Sequence, residues 1–155
     1  MKNLSLKTQY VLLNNASGAT IPAREQFEIW IKTVRDHLQQ DFEVSIEIVD
    51  KKTSQQLNKT YRNKDKPTNV LSFPLELPEV VEEILIGDLA ICATIVEQEA
   101  QQQQKDKINH WAHMVIHGTL HLLGYDHIEE DDAQIMEDLE RTLLAQLNSP
   151  DPYEN

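Results

Sequence analysis

The chain has a single cysteine, Cys92, among its 155 residues. That rules out an internal disulfide and any multi-cysteine zinc site, and it suits a reducing cytoplasm. No stretch approaches the ~18 apolar residues that a membrane span needs. The opening "MKNLSLKTQYVLLNN" alternates polar and apolar residues where a signal peptide carries an unbroken apolar run. No membrane partner is expected. Repeats are absent, and no segment is rich enough in proline, glycine or serine to divide domains. A single domain over residues 1–150 is expected, with 151–155 as a frayed tail. Cations are scarce as well: 14 lysines and arginines face 26 acids, a formal charge of −12 that by itself argues against nucleic acid.

The cations that are present cluster. Residues 51–66 carry Lys51, Lys52, Lys59, Arg62, Lys64 and Lys66 against one acid, Asp65, a local balance of +5 that leaves −17 for the rest. A small basic patch on an acidic body can hold one anionic strand while rejecting loose association elsewhere. The plainer alternative is a solvated, lysine-rich helix end, with Arg62 paired to Asp65.

Strands are expected over 4–13, in "DFEVSIEIVD", in "TNVLSFPLEL" and in "ILIGDLAIC". The second alternates Phe42, Val44, Ile46 and Ile48 with polar residues. Pro74 confines the third to an edge or interrupts it, and the nearly unbroken fourth suits a central position. Helices are expected after Pro22, through Phe27, Trp30, Ile31, Val34 and Leu38, and from a Thr53–Gln56 capping box through Tyr61. Three more follow: one from a Thr94–Glu97 box, one from about Asp106 to Gly124, and one over about 129–147. The acids Glu129, Glu130, Asp131 and Asp132 at the start of the last helix complement its dipole. This order implies an α+β fold, a small mixed sheet of about four strands packed with about five helices.

Histidine is the residue in unusual concentration. Projected on a helix, residues 106–124 gather Ile108, Trp111, Ala112, Val115, Thr119, Leu122 and Leu123 on one side. His110, His113, His117 and His121 fall opposite, so the core stripe is complete without them. His117 and His121 lie one turn apart and can share an ion. Gly124 lets the chain reverse and bring back His127 as a third ligand, placing a metal site on a helix and its following turn. Three neutral imidazoles suit one zinc ion per chain, with a fourth position for water, though another divalent transition metal could accept them. His110 and His113 are expected at the surface, or else supporting the ligands or touching substrate; His37 is expected at the surface. Asp88, inside an apolar strand, needs a partner, either a ligand histidine, a helix N-terminus or a purely structural hydrogen bond.

"HGTLHLLGYDH" at 117–127, "YRNKDKPTNVLSFP" at 61–74 and "IGDLAIC" at 86–92 resemble the YbeY family of bacterial endoribonucleases. The resemblance implies a metal-dependent enzyme, usually regarded as zinc-binding, acting in ribosomal RNA maturation, notably at the small-subunit RNA 3′ end, and in ribosome quality control. It makes His117, His121 and His127 the metal ligands and Arg62 the functionally important arginine, with Arg62 and His117 at the catalytic centre. Single-stranded ribosomal RNA would be the substrate, touched by Lys59, Arg62, Lys64 and Lys66, and the small subunit and ribosome-assembly proteins the partners. Zinc of this kind lowers the pKa of water toward ~7 or polarises a phosphoryl oxygen, and the Arg62 fork suits phosphate. The histidine spacing also matches a zinc-protease pattern, except that Gly118 stands where those enzymes carry a glutamate base. A metallopeptidase or amide hydrolase, or a non-catalytic ribosome-associated metal-binding module, are the competing functions.

Overall fold

Alternation along the second strand decides which side of the sheet is buried. A computed structural model describes residues 10–75, 84–126 and 128–154. In chain order the elements are β1 (Val11–Asn15), α1 (Arg24–Leu38), β2 (Glu43–Val49), α2 (Lys51–Arg62) and β3 (Val70–Pro74). β4 (Leu85–Cys92), α3 (Ala93–Gln102), α4 (Lys107–Leu122) and α5 (Glu130–Gln146) follow. The strands lie in the order β1-β2-β4-β3, the first three parallel and β3 antiparallel to β4. This is the expected α+β arrangement, with "ILIGDLAIC" in the middle and the proline-ended strand at the edge. Residues 4–9 of the expected first strand lie outside the described residues.

Val44, Ile46 and Ile48 of β2 pair in register beside Leu89 and Ile91 of β4, and all five are buried on one face. α1 and α4 close over that face, where Phe27 meets Trp30 and Trp111 edge-on, with centroids 5.2 and 5.9 Å apart. α2 lies on the other face. Ser72 turns toward α4 and donates to Gly118 O at 3.1 Å, whereas its neighbour Phe73 packs against Tyr61 of α2. Consecutive strand residues point to opposite faces, so β3 separates the two helices.

Several local expectations are corrected. α2 begins at Lys51, because Asp50 is the N-cap and accepts from Thr53 N; α3 begins at Ala93 with no side-chain cap. The Thr53 and Thr94 boxes therefore fall inside helices already begun. Ile108, assigned to the core stripe, is exposed, whereas His110 and His113 are buried at 4 % and 8 % exposure. A helical projection sees one layer only; here α3 and α5 cover the polar side of α4 as well. Asp88 is exposed, not buried: its face of β4 is open at that position, although Ala90 and Cys92 farther along are covered. The tail at Asp151–Tyr153 is held down. Arg141 Nε donates to Asp151 at 3.0 Å and Lys105 Nζ to Pro152 O at 2.7 Å.

Candidate metal centre

α4 is capped by Asp106, whose carboxylate accepts from Asn109 N at 3.0 Å, and runs to Leu122. Gly124 follows with φ 102°, in the region where glycine alone is unstrained, and Tyr125 N closes on Leu120 O at 3.0 Å. The turn so formed brings Tyr125 O back to His121 Nδ1, 3.0 Å away. One helical turn earlier, His117 Nδ1 lies 2.5 Å from Glu140 Oε2. A carbonyl and a carboxylate only accept, so both Nδ1 atoms carry the proton in neutral rings, and both Nε2 atoms bear lone pairs. Those two Nε2 atoms face one another at 3.2 Å. Two lone pairs so placed repel unless a proton or a metal cation lies between them. Tetrahedral zinc with bonds of about 2.0–2.1 Å would separate two ligand nitrogens by about 3.3 Å. The donor set therefore fits a divalent metal. His127, the expected third ligand, lies outside the described residues.

Glu140 is fully buried on α5 and was not foreseen. Its other oxygen receives the Tyr153 hydroxyl and His113 Nε2, the latter at 3.3 Å. Burial opposes the charge, but the hydrogen bonds from His113 and His117 outweigh it and hold the carboxyl at about 2. Burial pushes the His113 imidazole below its ordinary value, against the pull of Glu140, and it pushes the Tyr153 phenol up together with the neighbouring carboxylate. A similar pairing continues up the row. His110 Nε2 lies 2.9 Å from Glu99, which also accepts from Asn69 Nδ2 at 3.1 Å and is lowered by those bonds despite its burial. His113, His117 and Glu140 together could also hold an ion, since one ligand atom from each lies within 4.8 Å of the others. Against that placement, the Glu140 oxygens already accept from three donors. A hint of Glu140 was present in the sequence: it interrupts the apolar stripe Met136, Leu143, Leu144 at helical spacing.

The endoribonuclease YbeY family model matches residues 13–148. This chain belongs to the YbeY family. Its general activity is therefore that of an endoribonuclease in ribosomal RNA processing. The fold also resembles the solution structure of TM1509 from Thermotoga maritima, with a TM-score of 0.58 and 23 % identity over 94 % of this chain and 99 % of that one.

Within this YbeY-family fold the sequence-derived residues fall into two groups. His117 and His121 converge, as their spacing requires. Lys59, Arg62, Lys64 and Lys66 are all exposed at the end of α2 and in the loop after it, on the side of β3 away from the histidines. Asp65 pairs with Lys59 at 4.0 Å and accepts from Gln55, so the expected Arg62–Asp65 pair is replaced. Asp88 shares the face of Phe73 and Tyr61, away from α4, and so does not buttress a histidine. Gly118 has a physical reason of its own. A Cβ there would come within 2.8 Å of Leu89 Cδ2 and 3.1 Å of Val70 Cγ2, because α4 lies directly on the sheet. A glutamate at this position would have to push Leu89 and Val70 aside.

Proposed function

We propose that this chain is a metal-dependent single-strand endoribonuclease that matures ribosomal RNA at the small-subunit 3′ end, working in the cytoplasm with the assembling small subunit and its assembly proteins. The observation that carries it is the pair of facing Nε2 atoms at 3.2 Å, each ring locked by an acceptor on its Nδ1. His117, His121 and His127 would hold one zinc or related ion, and Glu140 and Tyr125 O would orient the first two rings. An ion held by neutral imidazoles keeps its full charge, which can polarise a phosphoryl oxygen or make water a better nucleophile. Arg62 would grip a phosphate with its planar fork, and Lys59, Lys64 and Lys66 would guide the flanking strand. Ribosome quality control would draw on the same cleavage.

A peptidase is disfavoured because Gly118 stands where its glutamate base would be. A purely bracing metal would make ligand variants unstable, not merely inactive. The deciding experiment incubates purified protein with single-stranded ribosomal RNA fragments, with and without chelator, beside His117→Ala and His121→Ala. Cleavage should vanish in all three treatments while circular dichroism at working temperature stays folded. Undiminished cleavage by both variants contradicts the proposal.

A further inference from the structure

The loop after α2 is pinned from beneath. Ser54, 2 % exposed, accepts from Thr68 N at 2.9 Å and donates to Thr68 O at 3.0 Å. Asn58, 3 % exposed, donates to Lys66 O at 2.9 Å. Asn63 reverses the chain at φ 60°, and the Asn63 and Lys64 amides return to Lys59 O and Asn58 O. A solvated lysine run needs no buried anchors. Here they fix the backbone from which Lys64 and Lys66 project.

Beside these cations stands Tyr61, 64 % exposed, its ring edge-to-face with Phe73 at 5.2 Å and 70°. A large aromatic so exposed, yet held in place by a second ring, is suited to take a flat partner. The occupant is indicated by charge: residues 59–66 carry Lys59, Arg62, Lys64 and Lys66 against Asp65, a local balance of +3 on a chain of −12, which draws a polyanion here and repels it from the acidic remainder.

We propose that Tyr61, braced by Phe73 and flanked by Lys59, Arg62, Lys64 and Lys66, is a stacking platform for one base of the single-stranded RNA substrate. This rests on the ribonuclease reading and adds a base contact to it. Phosphates would run over the lysines, with the base on the part of the Tyr61 ring that Phe73 leaves open. Stacking tolerates any base, so the platform supplies grip more than sequence preference.

The test is an anisotropy titration of the full chain with a labelled, 2′-O-methylated single-stranded RNA, checked on a gel to be intact afterwards. Tyr61→Ala should weaken binding about 5- to 100-fold, and Tyr61→Phe should stay within about twofold of wild type. An abasic version of the same strand should erase the difference between wild type and Tyr61→Ala. The Lys64→Ala/Lys66→Ala double variant should flatten log K against log salt by about 0.7 for each phosphate that is no longer neutralised. Equal binding by wild type and Tyr61→Ala, a Tyr61 effect unchanged on the abasic strand, or no binding by wild type at low salt overturns the platform. Tyr61-dependent binding with no cleavage of ordinary RNA supports the platform and counts against the nuclease reading alone.

Discussion

Glu140 keeps a charge with no exposed surface because Tyr153, His113 and His117 all donate to it. Its folded pKa, about 2, lies below the ordinary 4.5. The stabilisation it gives is therefore complete above about 4.5 and disappears as pH falls toward 2. In metal-free protein, urea melts should show the advantage of wild type over Glu140→Gln shrinking by roughly 3 kcal/mol across that window. A difference that does not change with pH would mean that Glu140 is not held as its three partners imply. Tyr153→Phe leaves one buried carboxylate oxygen short of a donor, which should cost about 1–3 kcal/mol in the same melts. It should also loosen metal if His117 is a ligand as proposed, because the donor chain Tyr153–Glu140–His117 ends on that ring. Unchanged metal affinity in a competition with a chromophoric chelator would confine Tyr153 to anchoring the tail.

At the scale of the element, α4 has two demanding faces. Toward the sheet it needs Gly118, and Gly118→Ala must push Leu89 or Val70 aside. We expect a loss of about 1–3 kcal/mol and a lowered thermal midpoint, whereas an unshifted midpoint would mean that the helix can rise off β4 without cost. Away from the sheet α4 carries four histidines, and their legibility differed. His117 and His121 could be paired from the sequence because an i, i+4 relation is local and the helix strongly patterned. The burial of His110 and His113 could not, because it depends on Glu99 and Glu140, which α3 and α5 bring over them. Glu140 is one of 26 acids, and Glu137 and Asp138 stand beside it; only its place within the apolar stripe of α5 sets it apart. Asp88 misled for the opposite reason, since an apolar run conceals which face of a strand is covered. The sheet order itself was only partly legible. The edge position of β3 followed from Pro74 and the central position of β4 from its apolar run, but nothing local indicated that its neighbours are β2 and β3.

Across the whole molecule, an acidic chain carries Lys59, Arg62, Lys64 and Lys66 at the end of α2 and the histidine row of α4 on the other side of an edge strand. Among the described residues no helix is long and apolar enough to cross a membrane. A substrate strand that touched both sites would pass β3, with Arg62 proposed to hold phosphate on one side. Arg62→Ala should leave metal content at the wild-type level and depress RNA processing by about tenfold or more, as removal of a charge-assisted hydrogen bond of roughly 1.5–3 kcal/mol implies. Loss of metal or of the fold in that variant would contradict this division of labour. The central claim is that the cation belongs between the Nε2 atoms of His117 and His121. The most direct test is metal content per chain in freshly purified wild type, His121→Ala and His113→Ala. One ion in wild type, one in His113→Ala and none in folded His121→Ala is the expected result. A full complement in His121→Ala, with loss in His113→Ala, would put the ion on His113, His117 and Glu140 and contradict the account.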